Sequence, residues 1–369
     1  MNTTHKKKKI GIVTGGGDCP GLNAVIRAIV KAAALQGWES IGIHGGYDGL
    51  LTPMKTRPLS IKDMDGLLVR GGTILGTASS GPFSAKTGQG AARQINSSIL
   101  DQAKTHFDRQ GLSALVAIGG DGTLTVALQM HEDGWPVVGV PKTIDNDLDA
   151  TLMTFGFDTA VSCAVNALDR LHSTAQSHDR VMVLEVMGRY AGWIAAQAGL
   201  AGGADVILIP EIAFNYDAVC RKINARETEG KLFTLVIVAE GASPAGEDLI
   251  SNSANHMDRE IRLGGIGEQV TKEIQSRTGK ESRCVVLGHL QRGGTPTQFD
   301  RQLCTRFGVY AVQMIARNQF GMMAALTGTG IAPVLLADAV DRIRTVPREG
   351  ELVMTARALG ISFGDSHIV

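Results

Sequence analysis

The sequence predicts an α/β protein of two lobes, each built on a mainly parallel sheet flanked by helices. Three observations predict it. Short apolar runs alternate with longer segments of helical period, the runs end in glycine-rich turns, and the same style of alternation returns in the second third of the chain. With 369 residues, of which 44% are hydrophobic and 20% charged, there is material for more than one core.

In the first third, an apolar run over 10–13 ends in the glycines of 15–17. A helix is expected over 21–35, where Val25, Ile26, Ile29, Val30 and Ala33 fall on one side. Strands are expected at 40–43, 115–118 and 137–140, with a helix over 123–132 between the last two. The second third predicts a helix over 160–171, a strand at 181–186, a helix over 190–200, strands at 206–209 and 235–239, a helix over 266–276 and a strand at 283–288. Beyond Arg292 the pattern is helical, with a weak strand at 331–336, and the tail after Glu349 has no readable period. The expected lobes are 1–156 with 291–344, and 157–290 with 345–369, with a cleft between them.

The 36 basic and 36 acidic residues cancel. No long-range field then favours nucleic acid or an anionic membrane, and an anionic substrate must be held by local clusters. The lysine run over 6–9 reads as a solvated tail ahead of a strand. Cys19, Cys163, Cys220, Cys284 and Cys304 are odd in number and have no metal-ligand spacing. That points away from a disulfide framework or a zinc site and toward a reducing cytoplasm. No apolar stretch reaches the ~18 residues that span a bilayer, and the glycine-rich run after the first lysines does not suit a signal segment.

The exits of parallel strands face the ligand crevice in such sheets. The glycine-rich exits here are 15–17, 119–122 and the turn 141–147. Glycine lets the backbone approach a phosphate and offer it N–H groups, and the following helix adds its N-terminal dipole. A tight corner would look the same. Asp121 inside GGDGT changes the reading, because a carboxylate among glycines repels phosphate unless a cation intervenes. Magnesium binds through one or two carboxylates plus substrate phosphates, so Asp121 reads as its partner. Its structural alternative is a helix N-cap. In PKTIDND, Asp145 and Asp147 are expected to point the same way in an extended or irregular segment. One can serve as general base for a substrate hydroxyl while the other helps hold the metal, and Thr143 can donate to a phosphate. An Asx-rich turn is the plain alternative. Arg180, Arg189, Arg283, His289 and Arg292 sit at strand ends or beside glycines, as planar donors for a sugar phosphate or as ordinary surface residues. Glu240, after the strand at 235–239, can accept from sugar hydroxyls.

Together the segments TGGGDCPGLNAVIR, GGTILGT, AIGGDGT, PKTIDND, LDRLHSTAQSHDR, EVMGRYAG, AGGADVILIPE, VAEGA and LGHLQRGGTPTQFDR closely resemble the 6-phosphofructokinase family. They run in order from residue 10 to about residue 308. The resemblance implies a phosphofructokinase-like fold with the first lobe binding the nucleotide and the second the sugar phosphate. It implies the glycolytic transfer of the terminal phosphoryl group of ATP to the 1-hydroxyl of fructose 6-phosphate. Asp145 would be the base, assisted by Thr143 and Arg189, and Asp121 and Asp147 would serve magnesium. Gly17, Tyr47, Gly119, Gly120, Asp121, Gly122, Thr123 and Lys142 match the nucleotide side. Thr143, Asp145, Asp147, Met187, Gly188, Arg189, Glu240, His289 and Arg292 match the sugar site. Arg180 and Arg283 match residues that enter a neighbouring subunit's sugar site, which implies a homo-oligomer, tetramer or dimer, with shared active sites.

The donor rests on two positions. Pyrophosphate-using relatives carry aspartate at the position of Gly122 and lysine at that of Lys142, and typical ATP enzymes have glycine at both. A steric block outweighs a charge that suits either donor, so Gly122 favours ATP, with pyrophosphate as the alternative. Ser79 stands where many ATP relatives have arginine, and Val126 where glycine often lies beside the adenine. Arg27 and Lys31 match basic residues of the family's effector site, but the rest of that site matches poorly, which leaves allosteric control open. Two readings of other classes stand beside this one. A non-catalytic sugar-phosphate or nucleotide sensor could use the same fold. A lipid, diacylglycerol-type or NAD kinase shares GGDGT but lacks PKTIDND and LGHLQRGG.

Overall fold

The computed structural model describes residues 7–85, 92–246, 264–328 and 330–366. Lys6, the first of the lysine run, lies outside them. The chain divides into two compact units, each assembled from separated segments. The first comprises Met1–Thr143, Leu148–Gly156 and Arg292–Arg342, and the second Ile144–Asp147, Phe157–Gln291 and Ile343–Val369.

The first unit contains β1 (Lys9–Thr14), α1 (Leu22–Leu35), β2 (Glu39–Ile43), β3 (Thr56–Leu59), α2 (Ser97–Arg109), β4 (Ala114–Gly119), α3 (Asp121–Glu132), β5 (Val137–Thr143) and β6 (Phe155–Gly156). The second unit follows with α4 (Phe157–His178), β7 (Val181–Val186), α5 (Trp193–Ala201), β8 (Val206–Leu208), α6 (Tyr216–Thr228), β9 (Thr234–Ala239), α7 (Ile266–Thr278) and β10 (Ser282–Val286). The chain then returns to the first unit for α8 (Gln298–Ala316), β11 (Met322–Thr327), β12 (Gly330–Leu335) and α9 (Leu336–Val340). It ends in the second with α10 (Glu351–Ala358).

The sheet of the first unit runs β12-β11-β5-β4-β1-β2-β3, with β6 also paired to β5. Its centre is parallel, and only the outer pairs β2–β3 and β11–β12 are antiparallel. Every residue of β4 and β5 is buried, as expected of strands covered on both faces. The helical period read in α1 is the buried one: Val25, Ile26, Ile29, Val30 and Ala33 all face inward. Val13, Ile43, Leu115, Leu124, Trp135 and Leu336 belong to the core around the sheet.

The structure departs from the sequence expectation in definite places. Helix α2 was not expected, because only Ala103 and Phe107 of it are buried, Ile99 and Leu100 are half-buried, and the other residues are polar. Helix α4 runs through His178, well past 171, since its second half is nearly all exposed and carries little apolar signal. Strand β5 does not stop at Val140 but continues through Pro141, Lys142 and Thr143. Proline is tolerated there because β11 pairs only with Val138 and Gly139, so Pro141 lies beyond its ladder. Helix α5 begins at Trp193 rather than at 190, because 188–192 is an irregular loop in which Arg189 takes a left-handed φ of 49°.

The second unit is a wholly parallel sheet in the order β10-β7-β9-β8. Val181, Val183, Val206, Leu208, Val236, Val238, Ile266 and Val270 form its core. The C-terminal tail closes the open edge of β8: Ser362 bridges to Val206, and the Ile207 N–H donates to the Ser362 carbonyl at 2.9 Å. The Arg357 guanidinium grips Asp365 with two hydrogen bonds of 2.9 and 2.5 Å and lies over the Phe363 ring.

Among the described residues no helix is long and apolar enough to cross a membrane. All five cysteines are free, and burial pushes each thiol up, that of Cys284 to about 11.

Candidate active site

In the first unit the exits of β1, β4 and β5 carry the expected donor-side residues. Thr123 is buried in the first turns of α3, and its side chain packs against Gly119. A methyl group on Gly119 would stand 2.2 Å from the Thr123 Cβ, so that glycine is required by close packing. Gly122 is different. Its φ is not positive, and a methyl group there would have no heavy atom within 4 Å. Neither backbone conformation nor packing demands a glycine at that position.

Asp121 does not cap α3. Gly120 holds the cap position with no side-chain bond, and Asp121 is the first helical residue, half-buried, its carbonyl accepting from the Thr125 hydroxyl at 2.8 Å. A carboxylate in the first turn suits the positive end of the helix. Tyr47 is buried, and its hydroxyl donates to the Thr123 carbonyl at 2.9 Å. It therefore supports the start of α3 from inside the core. Val126, matched by resemblance to a place beside an adenine, is 1% exposed and belongs to the core, while Ser79 is exposed.

Lys142 is 4% exposed, and its ammonium donates to the Gly17 carbonyl at 2.5 Å. The N–H groups of Gly15 and Gly16 are engaged internally, by the carbonyls of Ile118 and Ala78 at 3.0 and 2.9 Å. The Arg292 guanidinium lies against Gly17, so close that a methyl group on Gly17 would meet it at 2.6 Å.

In the second unit, Ile144 and Asn146 are buried while Asp145 and Asp147 are half-buried. Burial thus alternates across the acids, but the segment is not extended: it bends at 144–145 and Asn146 takes a left-handed φ of 53°. The loop after β7 carries Met187, Gly188 and Arg189. The Arg189 N–H donates to Glu240 Oε1 at 3.2 Å, and the Glu240 N–H donates to the Val186 carbonyl at 2.8 Å. Glu240 therefore holds the Arg189 loop, a role that sequence reasoning, which gave it sugar hydroxyls, missed. The loop is confined from the other side as well: a methyl group on Gly241 would lie 1.9 Å from the Arg189 carbonyl oxygen.

The arginines do not gather at one end of this sheet. Met187, Gly188 and Arg189 follow the C-terminal end of β7, Glu240 follows β9, and His289 follows β10 in the 3-10 turn Gly288–Arg292. Arg180 precedes β7 and Arg283 is the second residue of β10. Both parallel strands thus put them at the opposite edge, roughly 20 Å away for a six-residue strand. There the Glu281 carboxylate pairs with both, Arg180 Nε at 2.8 Å and an Arg283 Nη at 2.5 Å, and the Arg180 guanidinium beside it holds its carboxyl below the usual range.

No metal-binding group of three or more His, Cys, Asp or Glu forms among the described residues. Asp121 in the first unit and Asp147 in the second each carry a carboxylate, whose hard oxygens are of the kind magnesium takes when phosphate oxygens complete its shell.

Fold and loops define a two-unit parallel α/β protein with glycine-rich and acidic strand exits. Residues 9–315 match the profile of the phosphofructokinase family. An ATP-dependent 6-phosphofructokinase of Chloroflexus aggregans is 53% identical over 363 residues, covering 98% of this chain and 99% of that one. A pyrophosphate–fructose 6-phosphate 1-phosphotransferase of Amycolatopsis mediterranei is 51% identical over 343 residues, 92% of this chain and 97% of that one. The phosphofructokinase of Saccharomyces cerevisiae superposes with a TM-score of 0.77 at 31% identity, over 91% of this chain and 45% of the yeast chain. The chain belongs to the phosphofructokinase family.

Proposed function

We propose that this protein is an ATP-dependent 6-phosphofructokinase, which transfers the terminal phosphoryl group of ATP to the 1-hydroxyl of fructose 6-phosphate and yields fructose 1,6-bisphosphate in glycolysis. The observation that carries the choice of donor is Gly122. Open space stands where its side chain would be, and the fold itself does not need a glycine there. That leaves room for the larger donor.

In this reading the first unit binds the donor and the second the sugar phosphate. Asp145 accepts the proton of the 1-hydroxyl as the phosphoryl group is transferred. Thr143 and Arg189 donate to the transferring group, whose charge needs fixed partners. Met187, Gly188, Arg189, His289 and Arg292 hold the sugar phosphate, and Glu240 keeps Arg189 in place. Lys142, fixed on Gly17, supplies a positive charge to the donor phosphates. Asp121 and Asp147 would hold magnesium, which neutralises phosphate charge when bound.

Arg180 and Arg283 stand at the other edge of the sheet from Arg189. That supports their serving the sugar site of a neighbouring copy, in a homo-oligomeric dimer or tetramer. Five free thiols raised by burial support a cytoplasmic setting. Pyrophosphate is the second reading. Lys142 favours it, and so does the similarity to the Amycolatopsis enzyme.

The test is a donor comparison at fixed fructose 6-phosphate and magnesium. Turnover with ATP is expected, and the Asp145→Asn variant should lose about 10²–10⁴-fold in kcat while still binding the sugar phosphate. Strong turnover with pyrophosphate and none with ATP would overturn the donor. Binding of both ligands without turnover would establish the sensor instead.

A further inference from the structure

The tail that follows α9 reaches both loops of the second unit that the proposed reaction uses. The Arg344 N–H donates to the Asp147 carbonyl at 2.8 Å. The Arg344 carbonyl accepts from the Trp193 indole N–H at 3.0 Å, and its guanidinium lies over the same indole at 4.6 Å. Two residues further on, the Val346 N–H donates to Glu211 Oε1 at 2.8 Å. The same carboxylate receives the Gly192 N–H, at 3.0 Å to Oε1 and 3.1 Å to Oε2. Gly192 and Trp193 open α5 directly after the loop that carries Met187, Gly188 and Arg189.

That loop needs holding. Arg189 has a left-handed φ of 49°, a conformation that a residue other than glycine keeps only where the surroundings over-determine it. Glu240 fixes the Arg189 N–H, and Glu211 with Trp193 fixes the loop's far end. The acid loop is tied in through Asp147. Gly192 and Val346 are both buried, so removing the Glu211 carboxylate strands two N–H groups that water does not readily reach.

We propose that residues 344–346, acting through Glu211 and Trp193, are positioning residues that set the acid loop and the Arg189 loop in register for the sugar phosphate. This rests on the reading of the second unit as the sugar-phosphate unit. A clamp that only fastened the tail would change stability but not the sugar's KM. A residue that sets a binding loop changes the KM for one substrate and not the other.

The experiment uses the full chain and three variants. Glu211→Ala removes the shared acceptor. Glu211→Gln keeps one oxygen in the position of Oε1. Trp193→Phe keeps the ring beneath Arg344 but loses its N–H. Steady-state kinetics are measured against fructose 6-phosphate and ATP. Amide hydrogen exchange is followed by mass spectrometry over 144–148 and 186–192.

Glu211→Ala and Trp193→Phe should each raise the sugar-phosphate KM about tenfold and leave the ATP KM within about twofold. Exchange over both segments should quicken, and Glu211→Gln should return the KM to within about threefold of the parent. An unchanged sugar-phosphate KM, or an equal change for both substrates, overturns the proposal. If Glu211→Ala does not fold, Trp193→Phe decides on the same criteria. If the parent protein turns over no fructose 6-phosphate with either donor, the proposed function falls, and exchange alone judges the tail: quicker exchange supports the positioning role and unchanged exchange overturns it.

Discussion

The Lys142 ammonium donates to the Gly17 carbonyl at 2.5 Å, joining the exit of β5 to the glycine loop after β1. Lys142 is 4% exposed, so its charge lies in a place where it is costly without partners. Lys142→Met should lower stability by about 1.5–3 kcal/mol, the range for a hydrogen bond to a charged group. It should also raise the ATP KM about tenfold, because the loop loses its anchor and the phosphates lose a positive neighbour. Urea unfolding and ATP saturation curves check the two parts.

Gly119 and Gly122 are three residues apart and make opposite predictions. Gly119→Ala drives a methyl group to 2.2 Å from the Thr123 Cβ and should cost about 1–3 kcal/mol. Gly122→Ala meets nothing and sits in a helix, so it should be neutral or stabilise by up to about 1 kcal/mol. Gly122→Asp should fold as well as the parent and still raise the ATP KM at least about tenfold, since its carboxylate enters the space assigned to the donor. Thermal melts beside donor kinetics separate packing from binding.

Gly241→Ala places a methyl group against the Arg189 carbonyl, where only 1.9 Å is open. The loop must shift. Affinity for fructose 6-phosphate should fall by about tenfold or more, with ATP affinity unaffected, as read by titration calorimetry of each ligand.

Burial raises the Glu211 carboxyl above its ordinary value, offset in part by the N–H groups of Val346 and Gly192 and by Arg348. A raised folded-state value means the native protein holds this proton more tightly than the unfolded chain does. The stability from that protonation is full below the unfolded value of about 4.5 and is lost as pH rises through the folded one. Glu211→Gln is neutral at every pH, so its Tm relative to the parent should climb as pH rises above about 4.5. A difference that stays flat across that range would show that Glu211 titrates as it does in the unfolded chain.

Much of this was legible in the sequence. Strands with continuous apolar runs, such as 115–118, announce themselves because both faces are covered. The acids and glycines could be put forward as candidates because chemistry restricts which residue types can stand beside a phosphate. Helix α2 was hidden because it buries only two side chains. The double duty of Lys142 was hidden too, since its partner is a backbone carbonyl 125 positions earlier. The role of Glu240 as a loop holder, and the reach of Arg344 to Asp147, depend on backbone groups that every residue carries. No residue pattern marks them. A glycine at 241 was the one available signal, and it looks the same as a glycine in any turn.

The order in which the strands are delivered has a consequence for the growing chain. Strand β5 is wholly buried, yet one of its neighbours, β11, begins only at Met322. At roughly 5–20 residues per second, a ribosome takes on the order of ten to thirty-five seconds to supply it. Throughout that interval β5 is a bare apolar edge, open to pairing with another nascent chain. A ribosome stall placed between the codons for Thr143 and Met322 should therefore lengthen the exposure of that edge and raise aggregation of the nascent chain.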